Sequence, residues 1–66
     1  MNVQLLWKEG NVELDVEVGT SIAQVLQKAN ILSSTVIVCY NDQILPHSTL
    51  LQQEIALEVI TISSGG

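Results

Sequence analysis

Val12-Glu13-Leu14-Asp15-Val16-Glu17-Val18-Gly19-Thr20-Ser21-Ile22-Ala23-Gln24-Val25-Leu26-Gln27-Lys28-Ala29 contains the change of period on which the fold class turns. As far as Val18, apolar and acidic residues alternate, the pattern of a strand with one buried face. Its other face carries Glu13, Asp15 and Glu17, which must stay wet because burying unpaired carboxylates is costly. Beyond Gly19, Ile22, Val25, Leu26 and Ala29 recur at i, i+3, i+4 and i+7, one apolar stripe of a helix suited to lie on a sheet. Thr20 or Ser21 can cap that helix, and Ser21 with Gln24 has the spacing of a capping box. Gln24, Gln27 and Lys28 then face water, Asn30 ends the helix, and Ile31-Leu32 are expected to cover its end.

The flanking segments extend this strand-then-helix core in both directions. Upstream, Val3, Leu5 and Trp7 alternate with Gln4, Leu6 and Lys8, giving a first strand. Glu9-Gly10-Asn11 supplies the turn of a hairpin. Trp7 shares a face with Val3 and Leu5 and is assigned to the core. Downstream, Thr35-Val36-Ile37-Val38-Cys39-Tyr40 is the richest run of β-formers and is expected to be a central strand. Asn41-Asp42 turns it into a short strand, Gln43-Ile44-Leu45, stopped by Pro46. Residues 47–54 have no clear period and are read as holding a short helical turn around Leu50-Leu51. Residues 56–62 form the last strand. The order strand-strand-helix-strand-strand-strand implies an α+β domain, a mixed sheet packed across one main helix. This is the ubiquitin-like β-grasp arrangement, assigned to residues 1–62, with residues 63–66 as a flexible diglycine tail.

Composition limits the function classes. Sixty-six residues support one small core. A single cysteine, Cys39, permits no internal disulfide and fits a reducing interior. The start has neither the basic region nor the apolar stretch of a signal peptide, and no apolar run approaches the ~20 residues that cross a bilayer. A cytoplasmic protein without membrane contact is expected. Seven acidic residues against two lysines give a formal charge of −5. That charge repels phosphate backbones, so direct nucleic-acid binding is not expected. It keeps a small apolar-rich domain soluble and favours encounter with a basic protein surface.

No side-chain constellation suggests independent catalysis, so the chain is not read as an enzyme. His47 has no paired nucleophile, Cys39 in a strand is read as a small hydrophobe, and no ligand cluster calls for a metal. In the last strand, Leu57, Val59 and Thr61 share one face while Glu58, Ile60 and Ile62 share the other. If Glu58 marks solvent, Ile60 and Ile62 are exposed apolar residues, joined by Leu6 from the polar register of the first strand. Such a patch suits partner docking, although a one-residue slip in register would return all of them to the core. The ending Ser63-Ser64-Gly65-Gly66 adds a slim tether, since glycine has no Cβ. A frayed terminus or an added linker is the alternative.

Two segments carry a family resemblance: Val38-Cys39-Tyr40-Asn41-Asp42-Gln43-Ile44-Leu45-Pro46 and Leu57-Glu58-Val59-Ile60-Thr61-Ile62-Ser63-Ser64-Gly65-Gly66. In this order and at this length the chain resembles the small sulfur carriers of the ThiS and MoaD type, ThiS above all. It departs from them at Gln52-Gln53-Glu54-Ile55, where an Asp-Gly-Asp-like turn is frequent, and at His47, where arginine is frequent. The resemblance implies that a ThiF/MoeB-like adenylating enzyme consumes ATP to activate the Gly66 carboxylate, with Gly65 keeping the approach slim. A cysteine desulfurase or rhodanese-type donor then supplies sulfur, leaving a thiocarboxylate. No cofactor is held permanently. Leu6, Ile60, Ile62, Ser63 and Ser64 are the expected partner contacts, the two serines as spacers or as hydrogen-bonding groups in a cleft. Thiazole synthase in thiamine biosynthesis is the first expected acceptor. tRNA thiolation, molybdopterin synthesis, ubiquitin-like protein modification and a plain binding module are the alternatives.

Overall fold

The strand alternation and the helical stripe meet in one apolar layer. The computed structural model describes residues 1–62; the expected tail, residues 63–66, lies outside the described residues. Strands β1 (Asn2–Trp7) and β2 (Gly10–Asp15) form the first hairpin, followed by β3 (Thr20–Ser21) and helix α1 (Ile22–Lys28). A 3₁₀ turn, Ser33–Thr35, leads into β4 (Val36–Tyr40), β5 (Gln43–Leu45), β6 (Leu50–Leu51) and β7 (Ile55–Thr61). The main sheet has the order β2-β1-β7-β4-β5, and β3 with β6 makes a separate two-stranded ladder. Strand β7 runs parallel to β1 and antiparallel to β4, so the sheet is mixed. A parallel neighbour for β1 has to arrive by a long crossover, here the one that contains α1. The result is the β-grasp fold.

The inner face of this sheet closes on α1. Val3 and Leu5 of β1, Leu57 and Val59 of β7 and Val36 and Val38 of β4 are buried with Ile22, Val25 and Leu26 of the helix. The registers Leu5↔Leu57 and Val38↔Val59 put these side chains in adjacent rows across three strands. Glu13, Asp15 and Glu17 are exposed as the alternation requires. The run expected to be central, β4, is interior, but β7 takes the middle because it alone has both β1 and β4 as partners. Thr35 belongs to the 3₁₀ turn rather than to β4.

Local chemistry sets both ends of α1. The Ser21 hydroxyl accepts the Gln24 N–H at 3.2 Å and the Ser21 N–H donates to Gln24 Oε1 at 3.0 Å, a complete capping box. At the other end Asn30 adopts φ 62°. The Asn30 N–H donates to the Gln27 carbonyl at 3.0 Å and the Ile31 N–H to the Leu26 carbonyl at 2.9 Å, the two bonds of a Schellman closure. Asn41 and Asp42, at φ 52° and 65°, make the two-residue turn between β4 and β5 with the twist that a hairpin needs.

Three local expectations are corrected. Leu50-Leu51 forms no helical turn: it is strand β6, paired with Thr20-Ser21. The segment before it serves the first turn of α1, whose N–H groups lack partners within the helix. The Ile22 N–H donates to the Thr49 carbonyl at 3.0 Å and the Ala23 N–H to the His47 carbonyl at 2.9 Å. The second strand ends at Asp15, and Val18 is exposed in the turn that follows, where Gly19 takes φ 91°. Ile31 packs against the core as expected, whereas Leu32 points away from it and is exposed.

Candidate functional site

Strand β7 divides its side chains as the alternation predicts as far as Ile60, while Thr61, on the face of Leu57 and Val59, is exposed at the strand's end. Leu57 and Val59 are buried, while Glu58, Ile60 and Ile62 are exposed. Pairing carries this division across the whole sheet. Leu6 lies opposite both Asn11 and Glu58, Glu58 opposite Cys39, and Cys39 opposite Ile44, forming one row over all five strands on the outer face. Ile60 lies beside Ile37 in the next row towards residue 62. Glu13, Gln4 and Ala56 form the row on the opposite side, and Asp15 pairs with Asn2 beyond it.

The outer face therefore has two halves. Around the end of β1 and along β7, β4 and β5 it presents exposed Leu6, Ile60 and Ile44 and half-buried Ile37, interrupted by Glu58. Around β2 and the start of β1 it presents amides and carboxylates, with Gln4 Nε2 donating to Glu13 Oε1 at 2.7 Å and Asn2 Nδ2 to Glu13 Oε2 at 3.4 Å. An open concavity of about 880 Å³ lies on the apolar half, bordered by Leu6, Trp7, Cys39, Tyr40, Glu58 and Ile60. Trp7 is half-buried: it packs against the core, as its alternation implied, and its edge also borders this concavity.

The end of β7 is tied down. Thr61 pairs with Val36, and the Ile62 N–H donates to the Thr35 carbonyl at 2.8 Å. Leu6, Ile60 and Ile62 are thus all exposed large apolar residues, with Ile60 and Ile62 near this fixed point. Ser63, Ser64, Gly65 and Gly66 lie outside the described residues.

Residue-level reading of the sequence missed Ile37, Cys39 and Ile44. Thr35–Tyr40 has apolar residues at nearly every position, and such a run does not tell one face from the other. Only the register against Glu58 and Ile60 places Ile37 and Cys39 on the outer face. Cys39 is buried as expected of a small hydrophobe, but beneath that face and apart from the main core cluster. His47 is half-buried beside the start of α1, and its carbonyl caps the helix. No group of three or more His, Cys, Asp or Glu side chains among the described residues is placed to hold a metal ion. No helix among them is long and apolar enough to cross a membrane.

No curated protein matches the chain. The sequence model of the ThiS family, by contrast, matches residues 2–66, from the first residue of β1 through Gly66. With a β-grasp fold, an apolar outer face beside the anchored end of β7, and a family match over nearly its whole length, the chain belongs to the ThiS family, small proteins that carry sulfur for other proteins and are not themselves enzymes.

Proposed function

We propose that the Gly66 carboxylate is the sulfur-bearing group and that the outer face of β7 is where the activating enzyme docks. The observation that carries this reading is the family match extending through Gly66. It is supported by the exposed pair Leu6 and Ile60 on the strands that lead toward the anchored Ile62. A free carboxylate resists nucleophiles because its charge is delocalised and oxide is a poor leaving group. A ThiF/MoeB-like enzyme overcomes both by letting the Gly66 oxygen attack the α-phosphorus of ATP, expelling pyrophosphate and forming an acyl adenylate. The terminal sulfur of a persulfide, from a cysteine desulfurase or rhodanese-type donor, then attacks the acyl carbon and AMP leaves. A thiol cleaves the S–S bond, releasing the thiocarboxylate and taking the other sulfur into a disulfide.

In this scheme ATP belongs to the partner, Gly65 keeps the chain slim where it enters the partner's cleft, and Ser63 and Ser64 span the distance from Ile62. Leu6, Ile60 and Ile62 supply apolar contact, with Glu58, Glu13 and Asp15 favouring a basic margin on the partner. The acceptor is a thiazole synthase in thiamine biosynthesis, the branch the family favours, and the protein works in the cytoplasm. Incubation with a ThiF-like enzyme, ATP and a persulfide donor, followed by intact mass measurement, tests this. The expected product gains the mass difference between one sulfur and one oxygen, and adding a thiazole synthase with its substrates removes that gain. A product heavier by a whole acceptor protein would instead indicate conjugation, and an unchanged mass would leave a binding module.

A further inference from the structure

Resting on the sulfur-carrier reading, we propose that Leu32 is a specificity contact for the adenylating partner, separate from the sheet-face patch and placed to grip the chain where it leaves the fold. Leu32 is the most exposed large apolar residue among the described residues, at 72%. Its sequence gives it the role of covering the helix end, yet Ile31 alone does that. Leu32 is nevertheless held in place. Its carbonyl accepts the Thr35 N–H at 3.0 Å and the Thr35 hydroxyl at 2.7 Å, closing the 3₁₀ turn that it begins. Thr35 in turn accepts the Ile62 N–H at 2.8 Å. One residue therefore fixes both an exposed leucine and the point where the described chain ends.

The reach of the chain makes this juxtaposition matter. Residues 63–66 span at most about 14 Å even when fully extended. A protein that brings ATP to the Gly66 carboxylate must therefore place its reactive centre within that distance of Ile62. Its surface then meets the rim around Ile62, which presents Ile60 on the outer face and Leu32 past the start of β4. Diglycine offers no side chain to read, and Leu32 on this rim adds one to the contacts of the sheet face. The partner chemistry that fits is an apolar shelf for Leu32, flanked by hydrogen-bonding groups for the exposed Ser34 hydroxyl.

The test uses the full chain and a ThiF-like adenylating enzyme in ATP–pyrophosphate exchange. Leu32→Ser should raise KM for the carrier roughly tenfold through lost apolar contact, with kcat and Tm close to wild type because the side chain touches little of its own fold. Leu32→Met should restore the wild-type KM. Val18→Ser, at a residue 62% exposed but bonded to neither Thr35 nor Ile62, should leave KM unchanged. A folded Leu32→Ser variant with a wild-type KM overturns the inference, as does an equal rise for Val18→Ser. Absence of exchange with the unaltered chain counts against the sulfur-carrier reading itself, a result distinct from either.

Discussion

Replacing Ile60 by threonine separates docking from folding. Threonine keeps the β-branch that suits a strand and exchanges the outward ethyl arm for a hydroxyl. Ile60 is 39% exposed, which leaves about 70 Å² of largely apolar surface for a partner to cover. At roughly 25 cal/mol per Å² that surface contributes at most about 1.8 kcal/mol, or about 20-fold in affinity. The portion already covered within the fold makes the same change cost about 1 kcal/mol of stability, similar to an isoleucine-to-valine truncation. ATP–pyrophosphate exchange with a ThiF-like enzyme, read as KM against kcat, should therefore show a KM rise of about 5- to 20-fold at nearly constant kcat. The companion change is Val59→Thr, one residue away and 4% exposed. It buries a hydroxyl without a partner, at about 1–3 kcal/mol, and should lower the urea midpoint while leaving KM alone. If Val59→Thr moved KM and Ile60→Thr did not, the assignment of faces on β7 would be wrong. If neither moved it, the outer face would not be the docking surface.

The remaining expectations concern the frame that holds this face. Leu57 is fully buried in the middle strand, so Leu57→Ala should cost about 2–5 kcal/mol in urea unfolding, enough to unfold much of so small a domain at 37 °C; a loss below about 1 kcal/mol would place the core elsewhere. Ser21→Ala removes the hydroxyl half of the capping box and should cost about 1 kcal/mol, with adenylation kinetics unchanged at 25 °C. Gly19 has φ 91° and no atom within 4 Å of where a Cβ would stand, so Gly19→Ala should cost about 1 kcal/mol through backbone strain alone. A D-alanine at position 19 of a synthetic chain should remove that cost and raise Tm above that of the glycine protein.

What the sequence revealed depended on whether a residue's partner was near or far along the chain. The capping box at Ser21 and Gln24, the stripe of Ile22, Val25 and Leu26, the stop at Asn30 and the Asn41-Asp42 turn are all set within a few residues, and each is present. The two faces of β7 were legible because Glu58 breaks an otherwise apolar run and so marks the wet side. Strand β4 carries no such mark, so only pairing with β7 puts half-buried Ile37 and buried Cys39 on the outer side of the sheet. Leu50-Leu51 was misread for a related reason. A two-residue strand has no period of its own, and its partner, Thr20-Ser21, lies thirty residues upstream in a segment already spoken for by helix capping. Leu32 was misassigned because hydrophobicity alone predicts burial, whereas the Schellman closure at Asn30 turns Ile31 inward and leaves the next residue facing out.

The position of β7 has a mechanical consequence for a carrier. Being the middle strand, it is bonded to β1 along its first half and to β4 along its second, and the last of these contacts reaches Ile62. Beyond Glu58 the strand is held on one side, by β4, and that ladder together with the Ile62–Thr35 bond sets where residues 63–66 depart relative to Leu6, Ile60 and Leu32. Every protein that acts on Gly66 in the proposed scheme, whether it adenylates, donates sulfur or accepts it, works within about 14 Å of that fixed point. Partners confined to so short a radius meet the same rim and exclude one another. Under the proposed function, successive handover then follows from the short reach of residues 63–66 from Ile62, and the folded body supplies apolar contacts that the two glycines, having no side chains, do not.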